Sequence, residues 1–226
     1  MTDRSLIIIN PNSSQVVTDG IDAAVAPLRA FGTPIRCLTL AQAPPGIESQ
    51  IQADLTIAAM LKLAASQRDA AGFVIACFGD PGLYALRDQT ALPVMGIQEA
   101  AVMSALTLGQ RFGVIAILPA SIPRHMRAFG SMGVMDRLAC DRALGLGVAD
   151  LADPDKSLIA MIRTGKRLRD EDGADVLIMG CAGMAHYRTV LEAETGLPVV
   201  EPTQAATAMA LGNIALGQSH KGTRHA

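Results

Sequence analysis

Ile75-Ala-Cys77-Phe-Gly-Asp-Pro-Gly82 closes an apolar run and opens a turn. Met179-Gly-Cys181-Ala-Gly-Met184 does the same in the second half of the chain. Each places a cysteine where a strand buried on both faces runs out, and each continues as Cys-x-Gly, with Gly79 and Gly183. The neighbourhoods also agree. Leu92-Pro-Val94 follows the first motif and Leu197-Pro-Val199 the second, and Tyr84 is answered by Tyr187. Glu99-Ala-Ala101 is answered by Gln204-Ala-Ala206, and the distance from the strand end at Asn10 to Cys77 nearly matches that from Leu118 to Cys181. Agreement at independent points marks an internal repeat.

Working outward, strands and helices alternate. Leu6–Ile9, Ile35–Leu40, Gly72–Ala76 and Leu92–Met95 read as strands of the first half, and Arg111–Ile117, Leu144–Val148, Asp175–Met179 and Leu197–Val200 as strands of the second. Helices are predicted from Ser13 or Ser14 to about Arg29, then at Gln50–Asp69, Gln98–Leu108, Pro123–Met132, Lys156–Asp170, Met184–Thr195 and Thr203–Leu216. Asp80-Pro81 offers an N-cap and a first-turn proline for a further helix, and Gln218–Ala226 reads as a frayed end. The fold class is α/β: two pseudo-symmetric domains, each a short parallel sheet flanked by helices, with the active site in the cleft between them. Residues 1–97 with 206–226 form the first half and carry Cys77; residues 98–205 form the second and carry Cys181. Ligands of such sheets bind outside the carboxyl ends of the strands, where both cysteines stand.

Composition excludes several function classes. Half of the 226 residues are apolar, enough for a core, and the net charge is −2 with no basic block, so nucleic acid is not an expected partner. Five Phe and two Tyr are too few for a base-stacking surface. No apolar run near the start approaches the ~20 residues of a membrane span, and no secretory core follows Met1, so the expected location is cytoplasmic and no membrane is a partner. The four cysteines lack Cys-x-x-Cys spacing, which argues for free thiols and no metal. No phosphate-binding glycine loop follows either first strand, and no cofactor is expected.

Two thiols in symmetry-related places suit a reaction that removes a proton from one face of a carbon and returns one to the other. A thiolate is a competent base and a thiol, at a reference pKa of about 8.5, a competent acid. Helices beginning near Pro81 and Met184 would lower that value. The backbone N–H groups of Phe78, Gly79 and Asp80, and of Ala182, Gly183 and Met184, would hold an enolate oxygen.

The residues Asn10-Pro-Asn12 with Ser13, Cys77-Phe-Gly-Asp-Pro-Gly82, Gly96-Ile97 with Glu99-Ala100, and Gly180-Cys-Ala-Gly-Met184 give the chain a resemblance to the hydantoin/allantoin racemase branch of the aspartate/glutamate racemase superfamily, over nearly its full length. The resemblance implies a cofactor-independent racemase of a cyclic ureide, a 5-substituted hydantoin or allantoin. It implies Cys77 and Cys181 as the two bases, Asn10 and Ser13 as hydrogen-bonding groups for the ring, and residues 78–80 and 182–184 as backbone ligands of its carbonyls. Related proteins are commonly oligomers, so a homo-oligomer is expected. The chain departs from the family where a threonine-rich loop would follow the second half's first strand: it has Ala116-Ile-Leu-Pro-Ala120, which suggests an apolar C5 substituent.

Blander readings stand beside these. Ser13 and Ser14 serve equally as helix caps, Asn10 as a turn residue and Asp80 as a cap, while Cys37 and Cys140 lack repeat partners and read as structural. His125 and His220 have no constellation around them. Rival functions are an arylmalonate decarboxylase or maleate isomerase type of enzyme on the same architecture, or a binding module that uses the cleft without catalysis.

Overall fold

A computed structural model describes residues 4–148, 150 and 154–220. Two four-stranded parallel sheets form its frame. The first comprises β1 (Ser5–Asn10), β2 (Ile35–Thr39), β3 (Ala70–Ile75) and β4 (Val94–Gly96), in the order β2-β1-β3-β4. The second comprises β5 (Phe112–Ala116), β6 (Leu138–Ala143), β7 (Val176–Met179) and β8 (Val199–Val200), in the order β6-β5-β7-β8. The two orders are the same, so the repeat seen in the sequence is a repeat of topology. Register makes the equivalence residue by residue. Ile9 pairs with Ile75 and Ile115 with Met179. The next N–H, of Ala76 or Gly180, donates to the carbonyl of Ile9 or Ile115 at 2.8 and 2.9 Å. Cys77 and Cys181 come next, and the residue that matches Asn10 is Ala116 rather than Leu118.

The central strands β1 and β5 are rich in β-branched residues and buried throughout, as strands covered on both faces must be. Around them lie α1 (Gln15–Ala24), α2 (Gln50–Ser66), α3 (Leu83–Gln89), α4 (Ile97–Leu108), α5 (Ile122–Met132), α6 (Pro154–Asp170), α7 (Arg188–Thr195) and α8 (Pro202–Ala215). Ser14 caps α1, and Ser49 with Gln52 forms a reciprocal capping box on α2. Helices α4 and α8 pack on each other; α8 also touches β3 and β4, while α4 touches β5, β7 and β8. One core therefore runs through both halves. Leu6, Ile8, Val74, Phe78 and Ile97 share it with Val114, Phe129, Ile178 and Val200. Each such side chain contributes about 1.5–3 kcal/mol by leaving water. Smaller cores lie on the far side of each sheet.

Several elements differ from the sequence reading, among them the helix expected from Met184, which begins at Arg188 after a 3₁₀ segment, Ala182–Tyr187. The first helix stops at Ala24 and continues as a 3₁₀ segment, Ala26–Phe31, because Pro27 lacks an N–H and crowds the preceding turn. The second half's second strand is Leu138–Ala143, not Leu144–Val148. It is an edge strand in which only Asp141 is buried, so no apolar run announces it. Leu144 and Leu146 instead tuck under the end of β5, their N–H groups donating to the carbonyls of Ala116 and Ile117 at 2.8 and 3.1 Å. Helix α3 begins at Leu83, after Gly82 in the left-handed region, and not at Pro81. Finally, residues 218–220 are docked. The N–H of His220 donates to Ala91 O at 2.9 Å, and its ring Nε2 accepts from the N–H of Val94 at 3.0 Å. The remainder of the predicted frayed end, 221–226, lies outside the described residues. No described helix is long and apolar enough to cross a membrane.

Candidate active site

Cys77 and Cys181 line the same small pit, of about 30 Å³. Phe78, Ala182 and Gly183 of the two motifs share it, with Asn12, Ser121 and Arg124 as its polar wall. A second cavity of about 230 Å³ adjoins on the Cys77 side and reaches Gly79, Asp80 and Arg127. A larger cavity of about 510 Å³ lies elsewhere, among Arg4, Thr33, Pro34, Pro93 and Ile214. It sits at the amino ends of the first sheet's strands and holds no cysteine, so the chemistry argues for the smaller pit.

The first motif is held by an acid that acts at a distance. Asp80 adopts φ 47°, the one left-handed non-glycine among the described residues, and follows Gly79 at φ 126°. Its carboxylate accepts from the N–H groups of Gln98 and Glu99, both at 2.9 Å, and so caps α4 rather than the helix that follows it. Gly96 makes room, since a Cβ there would lie 2.2 Å from the Asp80 carboxyl carbon. In the second half the same task falls to Glu201, at the N-cap of α8, which accepts from Thr203 and Gln204 at 3.0 and 2.6 Å. The second motif turns into a 3₁₀ segment, Ala182–Tyr187. A Cβ on Gly180 would stand 2.6 Å from Ile115 O, so glycine is required just before Cys181.

Burial governs the electrostatics. It pushes the Cys77 thiol up to about 12; the nearby Cys181 and Asp80 add to the rise, and Arg124 opposes it. Burial also pushes Cys181 up to about 11, against the N–H of Gly183, which donates to its sulfur at 3.4 Å. The helix ends expected to lower both thiols are absent in the required places: α3 starts too far along, and a 3₁₀ turn follows Cys181. Asp80 and Glu201 both rise to about 7 by burial, opposed by the backbone N–H groups they accept.

The other predicted site residues divide clearly. Asn10 is buried behind the pit. Its Nδ2 donates to Asn12 Oδ1 (2.9 Å), Ser14 O (3.1 Å) and Thr18 Oγ1 (3.0 Å), and its Oδ1 accepts from the N–H of Asn12 (3.2 Å). It builds the loop that presents Asn12. Ser13 does not line the pit, and its N–H donates to Pro44 O at 3.0 Å. Met184 is buried in the second core. The N–H groups of Asp80, Gly183 and Met184 are engaged inside their own loops, whereas those of Phe78, Gly79 and Ala182 have no partner among the described residues. Sequence reasoning missed Asn12, Ser121 and Arg124. Asn12 stands inside the quoted Asn-Pro-Asn motif and could have been weighed with Asn10. Ser121 and Arg124 follow β5, just beyond residues 116–118, the segment that matches that motif. His125, read as isolated, forms a buried pair with Asp141 at 2.7 Å, and its ring meets Phe78 edge-on at 4.9 Å.

A two-sheet α/β protein with a cysteine after the third strand of each sheet, both on one pit, is the class that this geometry defines. The family described as Asp/Glu/Hydantoin racemase matches residues 6–210, and the chain belongs to that family. The chain is 34% identical to a hydantoin racemase from Pseudomonas sp. (strain NS671) over 214 residues, 93% of this chain and 86% of the relative. Among solved structures it resembles the allantoin racemase from Pseudomonas fluorescens, with TM-score 0.90, 28% identity, and coverage of 97% of this chain and 94% of that one. It also resembles the allantoin racemase from Klebsiella pneumoniae, with TM-score 0.86, 31% identity, and coverage of 96% and 90%.

Proposed function

We propose that the protein racemises 5-substituted hydantoins or allantoin by two-base proton transfer between Cys77 and Cys181. The observation that carries the reading is the presence of both sulfurs, at equivalent positions of two like sheets, on one pit. One cysteine, as thiolate, takes the C5 proton and becomes a thiol. The C–H electron pair moves into the ring, and the adjacent carbonyl oxygen gains the charge. The other cysteine, a thiol, gives its proton to the opposite face of C5 and is left as thiolate. The ring carbonyl accepts the electrons, so no separate electron sink is needed. The N–H groups of Phe78, Gly79 and Ala182 suit the carbonyl oxygens, and Asn12 suits a further polar atom of the ring. Asp80, Gly183 and Met184 hold the two loops in shape. The two halves of the reading are residues 1–97 with 206–226, and 98–205, supported by the seating of α8 on β3 and β4 and of α4 on β5 and β7.

The test follows enantiopure hydantoins and allantoin in D₂O, with C5–H observed by NMR alongside optical rotation and a no-protein control. Rapid deuteration with loss of rotation, abolished in Cys77→Ala and Cys181→Ala, is the expected result. Exchange no faster than the control on every ring substrate would defeat the reading.

A further inference from the structure

Two guanidinium groups line the cavity that opens outward from the pit beside Cys77. The 230 Å³ cavity shares Cys77, Phe78 and Arg124 with the pit, then continues outward past Arg127, Gln50 and Asp54. Arg124 is half-buried on the first turn of α5. Its Nη1 donates to the carbonyls of Glu48 and Ala120 at 3.1 and 3.4 Å, and its Nη2 to Ser121 Oγ at 3.4 Å. Arg127 lies one turn further on. Its Nη2 donates to Gln50 Oε1 at 2.6 Å and its Nη1 to Pro123 O at 3.4 Å. Among the described residues neither guanidinium forms an ion pair with a carboxylate, in contrast to Arg29, Arg36, Arg87 and Arg142. The nearby acids are turned to other partners. Both Asp80 oxygens face the N-terminus of α4, Glu48 Oε1 is held by the N–H of Val148 at 2.8 Å, and the exposed Asp54 accepts from Gln50 Nε2 at 2.8 Å. Two guanidinium groups whose partners are neutral carbonyl, hydroxyl and amide oxygens, with no carboxylate paired to either, suit an anion.

We propose that Arg124 and Arg127 form an anion subsite beside Cys77, and that the preferred substrates are hydantoins whose C5 substituent ends in a carboxylate. This rests on the racemase reading and deepens it. It replaces the apolar substituent suggested by Ala116–Ala120, because of that loop only Ile117 reaches the pit and none of it lines the outer cavity.

The experiment compares kcat/KM for racemisation of 5-(2-carboxyethyl)hydantoin with that of its carboxamide isostere, each normalised to its uncatalysed exchange. The native protein is expected to favour the carboxylate by about ten- to hundredfold, the value of one or two charge-assisted hydrogen bonds. The ratio should fall toward one in Arg124→Gln and in Arg127→Gln. In the native protein alone it should also shrink as salt rises from about 0.05 M to about 0.5 M, because Arg127 is exposed and screened. A native ratio near or below one, or a ratio unmoved in both variants, overturns the subsite while leaving the racemase reading intact. A protein inert on both compounds, on other hydantoins and on allantoin would instead fail at the racemase reading, and the subsite would fall with it.

Discussion

Two asparagines two residues apart have opposite duties. Asn10 makes four hydrogen bonds in a buried loop, whereas Asn12 shares the wall of the pit. Asn10→Ala should therefore cost roughly 2–4 kcal/mol of stability through unsatisfied buried groups, read as a lowered midpoint in urea. Asn12→Asp keeps the Oδ1 that accepts from Asn10 and from the Ser14 N–H at 2.9 Å, but replaces the amide donor with an anionic oxygen. KM for a ring substrate should rise about tenfold with the melting temperature little changed. The thiols give a pH prediction of definite sign. Both are raised by burial, to about 12 and about 11, so the thiolate fraction near neutrality is small and grows about tenfold per pH unit. The rate constant for C5 exchange should climb from pH 7 to 9, and a plateau by pH 7 would show that the site lowers one thiol. Because the folded thiols bind protons more tightly than unfolded ones, stability should fall as pH passes about 8.5 and rises further.

At the scale of elements, the capping of α4 joins stability to the shape of the first motif. In Gly96→Ala the new methyl would meet the Asp80 carboxylate, which must then release Gln98 and Glu99. A loss of about 2–4 kcal/mol is expected, together with slowed turnover, because Asp80 also sets the left-handed turn after Cys77. Gly130→Ala in α5 is the control: nothing lies within 4 Å of the added Cβ, and stability should hold or improve by about 0.5–1 kcal/mol. This scale also shows how far the sequence could be read. Cys77 and Cys181 were legible because each ends an apolar run and the two runs resemble one another. The partner of Asp80 was not, because local pattern favours a cap on the next helix, and only the fold brings Gln98 to it. The strand Leu138–Ala143 was hidden by its exposed edge position, which demands no apolar alternation. Arg124 was hidden because its meaning depends on which way α5 faces across the cleft.

For the molecule as a whole, two sheets need not mean two folding units. The core that contains Ile8 and Val74 of the first sheet also contains Val114 and Ile178 of the second, and α4 with α8 ties the halves together. Thermal or urea unfolding should be a single transition, with circular dichroism and thiol accessibility changing together. Separate transitions would show that the shared core is weaker than the cores behind each sheet. The two like sheets were readable from the repeat, whereas the shared core was not, because it depends on how helices from distant parts of the chain pack.

The narrowness of the pit has a kinetic consequence. The cavity of about 30 Å³ between the two cysteines is small for a five-membered ring with two carbonyl groups. On the racemase reading, a ring can lie between Cys77 and Cys181 only if the walls that carry them part from the arrangement seen here. Capture of substrate is then gated by that parting, so thickening the solvent should slow entry and exit while leaving the proton transfers themselves untouched.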